Sequence, residues 1–288
     1  MIKPEFLEEF EKDETAEEYV KNRVADINQK KGFLYTQASP DFPAVQKERD
    51  VVTINLLCDE IEAVLPNVEK LIKKISPYIK SITEETRVVA TYLLIGKAYS
   101  NLKTALLVCR HGRNLEAMEL SRSGKEALDL AMLFWENKSQ SSLDKWFKGK
   151  IIGNVEAREF HHKYLNKELA DIFENDEKPI KEMLGRGYKI MSNYTHSGYA
   201  GLLDSVDVFK LDFDFGTQAG YHYCIEHFHV VEDLLIKILL NLKGSFSHLK
   251  DDEGFATADK LLEPFDIRLT QEQMKKITMR YKKESDVK

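Results

Sequence analysis

Proline is absent from 78–178 and again from 180–263. Proline lacks the backbone N–H that a helix interior needs, so these intervals leave long helices unobstructed. Leu, Ala, Glu, Lys and Ile recur through both at roughly 3.6-residue spacing, which reads as helix after helix. The expected fold is all-α: a multi-helix bundle with a helical N-terminal arm. With 288 residues, 43% of them hydrophobic, the chain can bury a large core as one domain with extensions. Only 14 Gly and 7 Pro occur, which disfavours collagen-like, linker-rich and turn-rich all-β designs.

Breakers and caps divide the chain further. An acidic amphipathic segment runs from about Pro4 to Gln29, and a loop follows from Gly32 to Pro43. A long helix is predicted from about Val45 to Ile75, bent at Pro66. Thr83-Glu84-Glu85 is expected to open the next helix, which should stop near Gly112. The helix after it, Asn114 to about Trp135, is apolar on every side from Ala127 onward except at Asp129, so other helices should bury it. Further helices are expected at about Val155–Phe173, Glu177–Tyr194, Gly216–Leu242 and Gln271–Lys283. Lys210 to Phe215 alternates apolar and polar residues and should be extended or a short strand. No repeat at a solenoid period and no low-complexity run is present. The resulting division is a helical arm at 1–79, a bundle core at 80–245 and a C-terminal helical extension at 246–288.

Charged residues make up 31% of the chain and the net charge is −6, which gives no whole-chain electrostatic case for nucleic acid. No DNA-binding motif is present either, although a local patch for RNA remains open. Cys58, Cys109 and Cys224 are odd in number and widely spaced, which fits neither a disulfide framework nor a zinc knuckle. Cys109 lies in an apolar run and reads as inert core. The opening MIKPEFLEEFEKDE is acidic, unlike a signal or transit peptide, and no apolar run approaches the roughly 20 residues needed to span a bilayer. A soluble cytoplasmic protein with no membrane partner is expected.

Three constellations could carry chemistry. Arg122, Glu126 and Asp129 share a face of the buried helix, and an Arg122–Glu126 pair is expected, with Asp129 needing another donor. The set is either a structural ion pair that fixes helix docking or a scaffold that orients a base. In the second, Lys189, Ser192 and His196 follow one another at helical spacing towards a helix end at Ser197-Gly198. A histidine there sits at the negative end of the helix dipole, which favours its protonated form. Beside a lysine and a hydroxyl it would bind phosphate or move a proton in phosphodiester cleavage; otherwise it caps the last carbonyls. The third is the stripe His222, Glu226, His229 and Asp233, which with Glu159-x-x-His162 gives two Glu-x-x-His pairs, as in di-iron carboxylate bundles. Glu116, Glu119 or Glu126 would have to add a bridging carboxylate, and the helix ending at His196 has none at a matching depth. No metal site and no cofactor are therefore expected. Gly185-Arg186-Gly187 is too short for a phosphate-binding glycine loop, and no nucleophile elbow, Walker sequence or His-Glu-x-x-His run is present. The basic stretch Lys275 to Lys288 faces an acidic N-terminus in charge, suited to docking another subunit or simply to solvent.

From Leu93 to Gly201 the sequence resembles a family of uncharacterised bacterial helical proteins. The likeness rests on Glu116-Ala117 with Arg122 and Glu126, and on Tyr188, Ser192, Tyr194 and His196. More distantly it resembles the HEPN superfamily of helical ribonucleases, whose members carry an Arg followed, after about four to six residues, by a His near a helix end. Here Lys189 precedes His196 with six residues between them, and the nearest arginine, Arg186, lies further back. Lysine is a point charge rather than a bidentate fork, so the exchange is not conservative. The resemblance implies His196 as general acid/base, Lys189 or Arg186 on the phosphate, Arg122 and Glu126 setting geometry, and a site built across a homodimer without metal. Two alternatives stand beside it: a non-catalytic interaction protein held in register by a buried polar network, and a carboxylate/histidine metal-binding bundle.

Overall fold

The computed structural model describes residues 42–135, 140–153 and 218–265, together with Lys21, Ala25, Ala157 and the residue pairs at 206–207 and 212–213. Among them are seven α-helices, and the architecture is an all-α bundle, as the proline spacing predicts. The helices expected around Glu177–Tyr194 and Gln271–Lys283 lie wholly outside the described residues, those around Pro4–Gln29 and Val155–Phe173 all but residues 21 and 25 of the first and 157 of the second. No described helix is long and apolar enough to cross a membrane.

Helix α1 covers Phe42–Ile75 and continues through Pro66, which is exposed. Its buried residues Ile54, Cys58, Ile61, Leu65, Val68, Leu71, Ile72 and Ile75 fall at spacings of three and four, a stripe that must face other helices. It does so: this described part of the expected arm shares one apolar cluster with the bundle and does not stand apart from it. A 3₁₀ turn at Ser76–Tyr78, built on Pro77, ends the run.

Helix α2 is Arg87–Cys109. It opens after the expected Thr83-Glu84-Glu85, because Thr86 is the cap and its hydroxyl accepts the Val89 N–H at 3.3 Å. Ser81 and Thr83 instead pair their hydroxyls at 2.8 Å in the preceding turn. Gly112, at φ +66°, reverses the chain into α3, Asn114–Trp135, and the two helices pack as a hairpin. Helix α4, Gln140–Phe147, closes a second, smaller apolar cluster around Phe134, Leu143 and Ile152.

The single helix expected over Gly216–Leu242 is two. Helix α5, Gln218–Glu226, stops at His227, and α6, Phe228–Leu249, runs past the expected end. The division expected at 245/246 therefore falls inside a helix. Lys250 adopts the left-handed conformation at φ 58°, and α7, Asp252–Leu262, starts with the Asp251 carboxylate accepting the Gly254 N–H at 2.8 Å. Helix α6 is the centre of the bundle: it packs on α1, α2, α3 and α7, while α5 packs on α1 and α3. The alternating stretch near Lys210 is indeed extended at Asp212–Phe213, which pairs antiparallel with Val206–Asp207.

Candidate functional site

Helix α3 carries the charged residues that the sequence singles out. Its buried residues Ala117, Met118, Ser121, Gly124, Leu128 and Ala131 recur at spacings of three and four, so one face is committed to the core. A Cβ at Gly124 would lie 2.8 Å from Leu234 Cδ1, so glycine lets α6 approach closely here. Gly124 meets Leu234, Lys125 meets Asp233, Asp129 meets Lys237 and Trp135 meets Ser245, so α3 and α6 run in the same direction.

Arg122 and Glu126 form the expected pair, Nε to Oε1 at 2.9 Å, with side chains 14% and 24% exposed. The pair lies within one helix at i,i+4 and stays open to solvent on one side. Asp129 is buried, and the donor it needs is Lys237 of α6 at 3.7 Å. The residue that sequence reasoning missed is Lys125. It is buried, its Nζ donates to Asp233 Oδ2 at 3.2 Å, and its partner is largely exposed. Burial pushes the Lys125 ammonium below its ordinary pKa; Asp233 opposes that shift and Lys237 adds to it. Lys125–Asp233 and Asp129–Lys237 are thus two parallel rungs between α3 and α6, each with its basic group on the opposite helix from the other's. One turn before Lys125, the Ser121 hydroxyl is buried with no hydrogen-bond partner among the described residues.

A second buried lysine, Lys243, was also missed. It is fully buried on α6, pairs with Asp259 of α7, and lies 4.8 Å from the centre of the Phe255 ring. Burial lowers its pKa and Asp259 partly restores it. The signal was available: Lys243 falls at helical spacing between Leu239 and Phe246, on an apolar face where an unpaired charge would be costly.

The remaining candidates are placed only in part. His196, Lys189, Ser192 and Arg186 lie outside the described residues, as do Glu159 and His162. His222 Nε2 meets Glu226 Oε1 at 2.9 Å on α5, but the break at His227 separates them from His229 and Asp233 on α6. His229 turns its Nδ1 to the Glu226 carbonyl at 3.1 Å, and Glu116 is paired with Arg113 at 3.2 Å. The four-residue stripe is therefore not a continuous ligand face. Among the described residues no group of three or more His, Cys, Asp or Glu is arranged to hold a metal ion.

No model of a known protein family, no curated protein and no solved structure matches this chain.

Proposed function

We propose that the chain is a HEPN-like RNA-processing protein that works without metal, as a homodimer in the cytoplasm. His196 is its general acid/base, Lys189 and Arg186 hold the phosphate with Ser192 beside them, and Arg122 and Glu126 set the geometry from α3. The observation that supports this reading is the Arg122–Glu126 pair on α3. Arg122 and Glu126 meet at i,i+4, Nε to Oε1 at 2.9 Å, with both side chains partly open to solvent. An ion pair fixed on one helix face and partly open to solvent can orient a neighbouring proton donor.

The test is cleavage of labelled transfer RNA and total RNA by purified protein in chelator, for the wild type, His196→Ala and Glu126→Gln. Each variant is first shown to melt cooperatively. Cleavage that His196→Ala abolishes and Glu126→Gln weakens supports the reading. Equal cleavage by all three traces the activity to a contaminant or another site.

A second reading, a non-catalytic interaction protein, draws support from the two rungs Lys125–Asp233 and Asp129–Lys237, which hold helices in register as such a network would. Absence of cleavage by the wild type, together with loss of the melting transition in Glu126→Gln, selects it.

A further inference from the structure

Helix α1 carries two stripes, and the bundle covers one of them. Ile54, Cys58, Ile61 and Leu65 belong to the core. On the other side Val52, Leu56, Asp59, Ala63, Pro66 and Lys70 recur at alternating spacings of four and three, and all six are exposed. That spacing is the seam of a helix that pairs with another helix. Val52 and Leu56 are large, apolar and each 59% exposed. Leu107 of α2, also exposed, widens this apolar end: Arg110, one turn further on, donates to Asn55 Oδ1 at 2.9 Å and so seats the end of α2 beside it.

The order of side chains along α1 identifies the occupant. After the apolar end come Asp59, Glu60 and Glu62, then Pro66, then Lys70, Lys73 and Lys74, and finally the turn that bears the exposed Tyr78 and Ile82. The series runs apolar, acidic, basic, apolar, and in reverse it runs apolar, basic, acidic, apolar. A second α1 turned end for end about Pro66 therefore lays acid on base and apolar on apolar, and a two-fold axis makes each match twice. The stripe from Val52 to the end of α1 is about 35 Å long. Several of these charges have a partner within the chain: Asp59 and Glu62 meet Arg110, Lys73 meets Glu69, and Lys74 meets Glu253. Asp59 and Lys73 nonetheless keep 64% and 70% of their side chains open, room for a partner from outside. Glu60 and Lys70 are exposed and make no ion pair among the described residues.

We propose that the outer stripe of α1 binds the same stripe of a second copy of this chain, antiparallel, in a dimer whose two-fold axis passes near Pro66. The proposal rests on the homodimer of the proposed function and supplies its interface. The exposed leucine and valine of one copy shelter against Tyr78 and Ile82 of the other, which removes apolar surface from water. The acidic and basic stretches fix the direction, because a parallel pairing would set like charges together.

The experiment measures the mass of the full-length protein in solution by sedimentation and light scattering over a range of concentrations. The wild type is expected to be a dimer that weakens as salt is raised. Leu56→Asp changes a residue the monomer leaves exposed and is expected to weaken self-association by about a hundredfold. Glu60→Lys with Glu62→Lys in one protein, and Lys70→Glu with Lys73→Glu in another, make each copy repel itself. Each is expected to be monomeric alone, and an equimolar mixture is expected to dimerise, with far-UV circular dichroism showing every variant folded. A monomeric wild type, a dimer that Leu56→Asp leaves intact, or a mixture that stays monomeric each overturns the proposal. RNA cleavage assays on the same samples keep the two readings apart. A dimer with this interface that cuts no RNA overturns the nuclease and leaves the interface, and a wild-type monomer that cuts RNA does the reverse.

Discussion

Replacing Gly220 by alanine tests the tightest contact in the bundle. The new Cβ would sit 2.0 Å from the Gly112 carbonyl oxygen and 3.1 Å from the Gly112 carbonyl carbon. That is short of van der Waals contact by more than about 1 Å, and the opposing atoms are backbone, which no rotamer change can move aside. Gly112 cannot yield easily either, because its φ of +66° is what turns α2 into α3. Overpacking of this kind costs about 1–3 kcal/mol, and alanine returns at most about 1 kcal/mol through helix propensity, less near a helix start. A net loss of about 2 kcal/mol is expected. With a urea slope of about 3 kcal/mol/M, the unfolding midpoint followed by far-UV circular dichroism falls by about 0.7 M. Gly96→Ala is the matched control: nothing lies within 4 Å of its Cβ in the middle of α2, so alanine there should stabilise by about 0.5–1 kcal/mol. A Gly220→Ala protein as stable as the wild type would refute the argument, because the backbone contact would then not exist as described.

The rung between Lys125 and Asp233 should respond asymmetrically to substitution. Lys125→Met removes a buried charge and leaves a carboxylate that water already reaches, so stability at neutral pH should stay within about 1 kcal/mol of the wild type or rise. Asp233→Ala strands the buried ammonium and should cost about 2–3 kcal/mol, read from the same urea curves. Because the folded-state pKa of Lys125 lies below its unfolded value of 10.5, the unfolded chain binds more protons across that window. Stability therefore gains a rising contribution as pH climbs towards 10.5, and thermal melts of Lys125→Met should lack that part of the slope. Glu232 works in the opposite sense: burial first, then Asp233 and Glu60, raise its pKa above 4.5, so its contribution falls as pH rises through 4.5 and beyond, and Glu232→Gln should remove that loss. Asp251→Ala removes the cap of α7 and a partner of Lys74, and should lower stability by about 1 kcal/mol in thermal or urea unfolding.

Local chemistry made some of the architecture legible. Gly112 followed by Asn114 announces a helix end and a helix start, and α3 begins and ends at the expected residues. The start of α2 was less readable, since Ser81, Thr83 and Thr86 compete for the role of cap and only the backbone geometry selects one. The break at His227 carries no Pro or Gly. It coincides with contacts remote in sequence, His227 to Asn114 at 3.3 Å and Gly220 against Gly112, that no window of neighbouring residues contains. The Arg122–Glu126 pair could be read because its partners are four residues apart. Lys125 could not, because Asp233 is 108 residues away in the chain.

The cluster that joins Ile54 to Leu262 also dictates an order of events during synthesis. Helices α2 and α3 can pair as soon as both have left the ribosome, since a short glycine turn joins them. Helix α1 has been waiting since Ile75, and α6, against which α1, α2 and α3 all pack, is not complete until Leu249. At about 5–20 residues per second, roughly 9–35 seconds separate Ile75 from Leu249 and roughly 6–23 seconds separate Trp135 from Leu249, and until then the faces that α6 covers lack it. A nascent chain arrested anywhere between α3 and α6 presents a sticky, half-built bundle, so the interval before α6 emerges is when this protein most depends on chaperone cover.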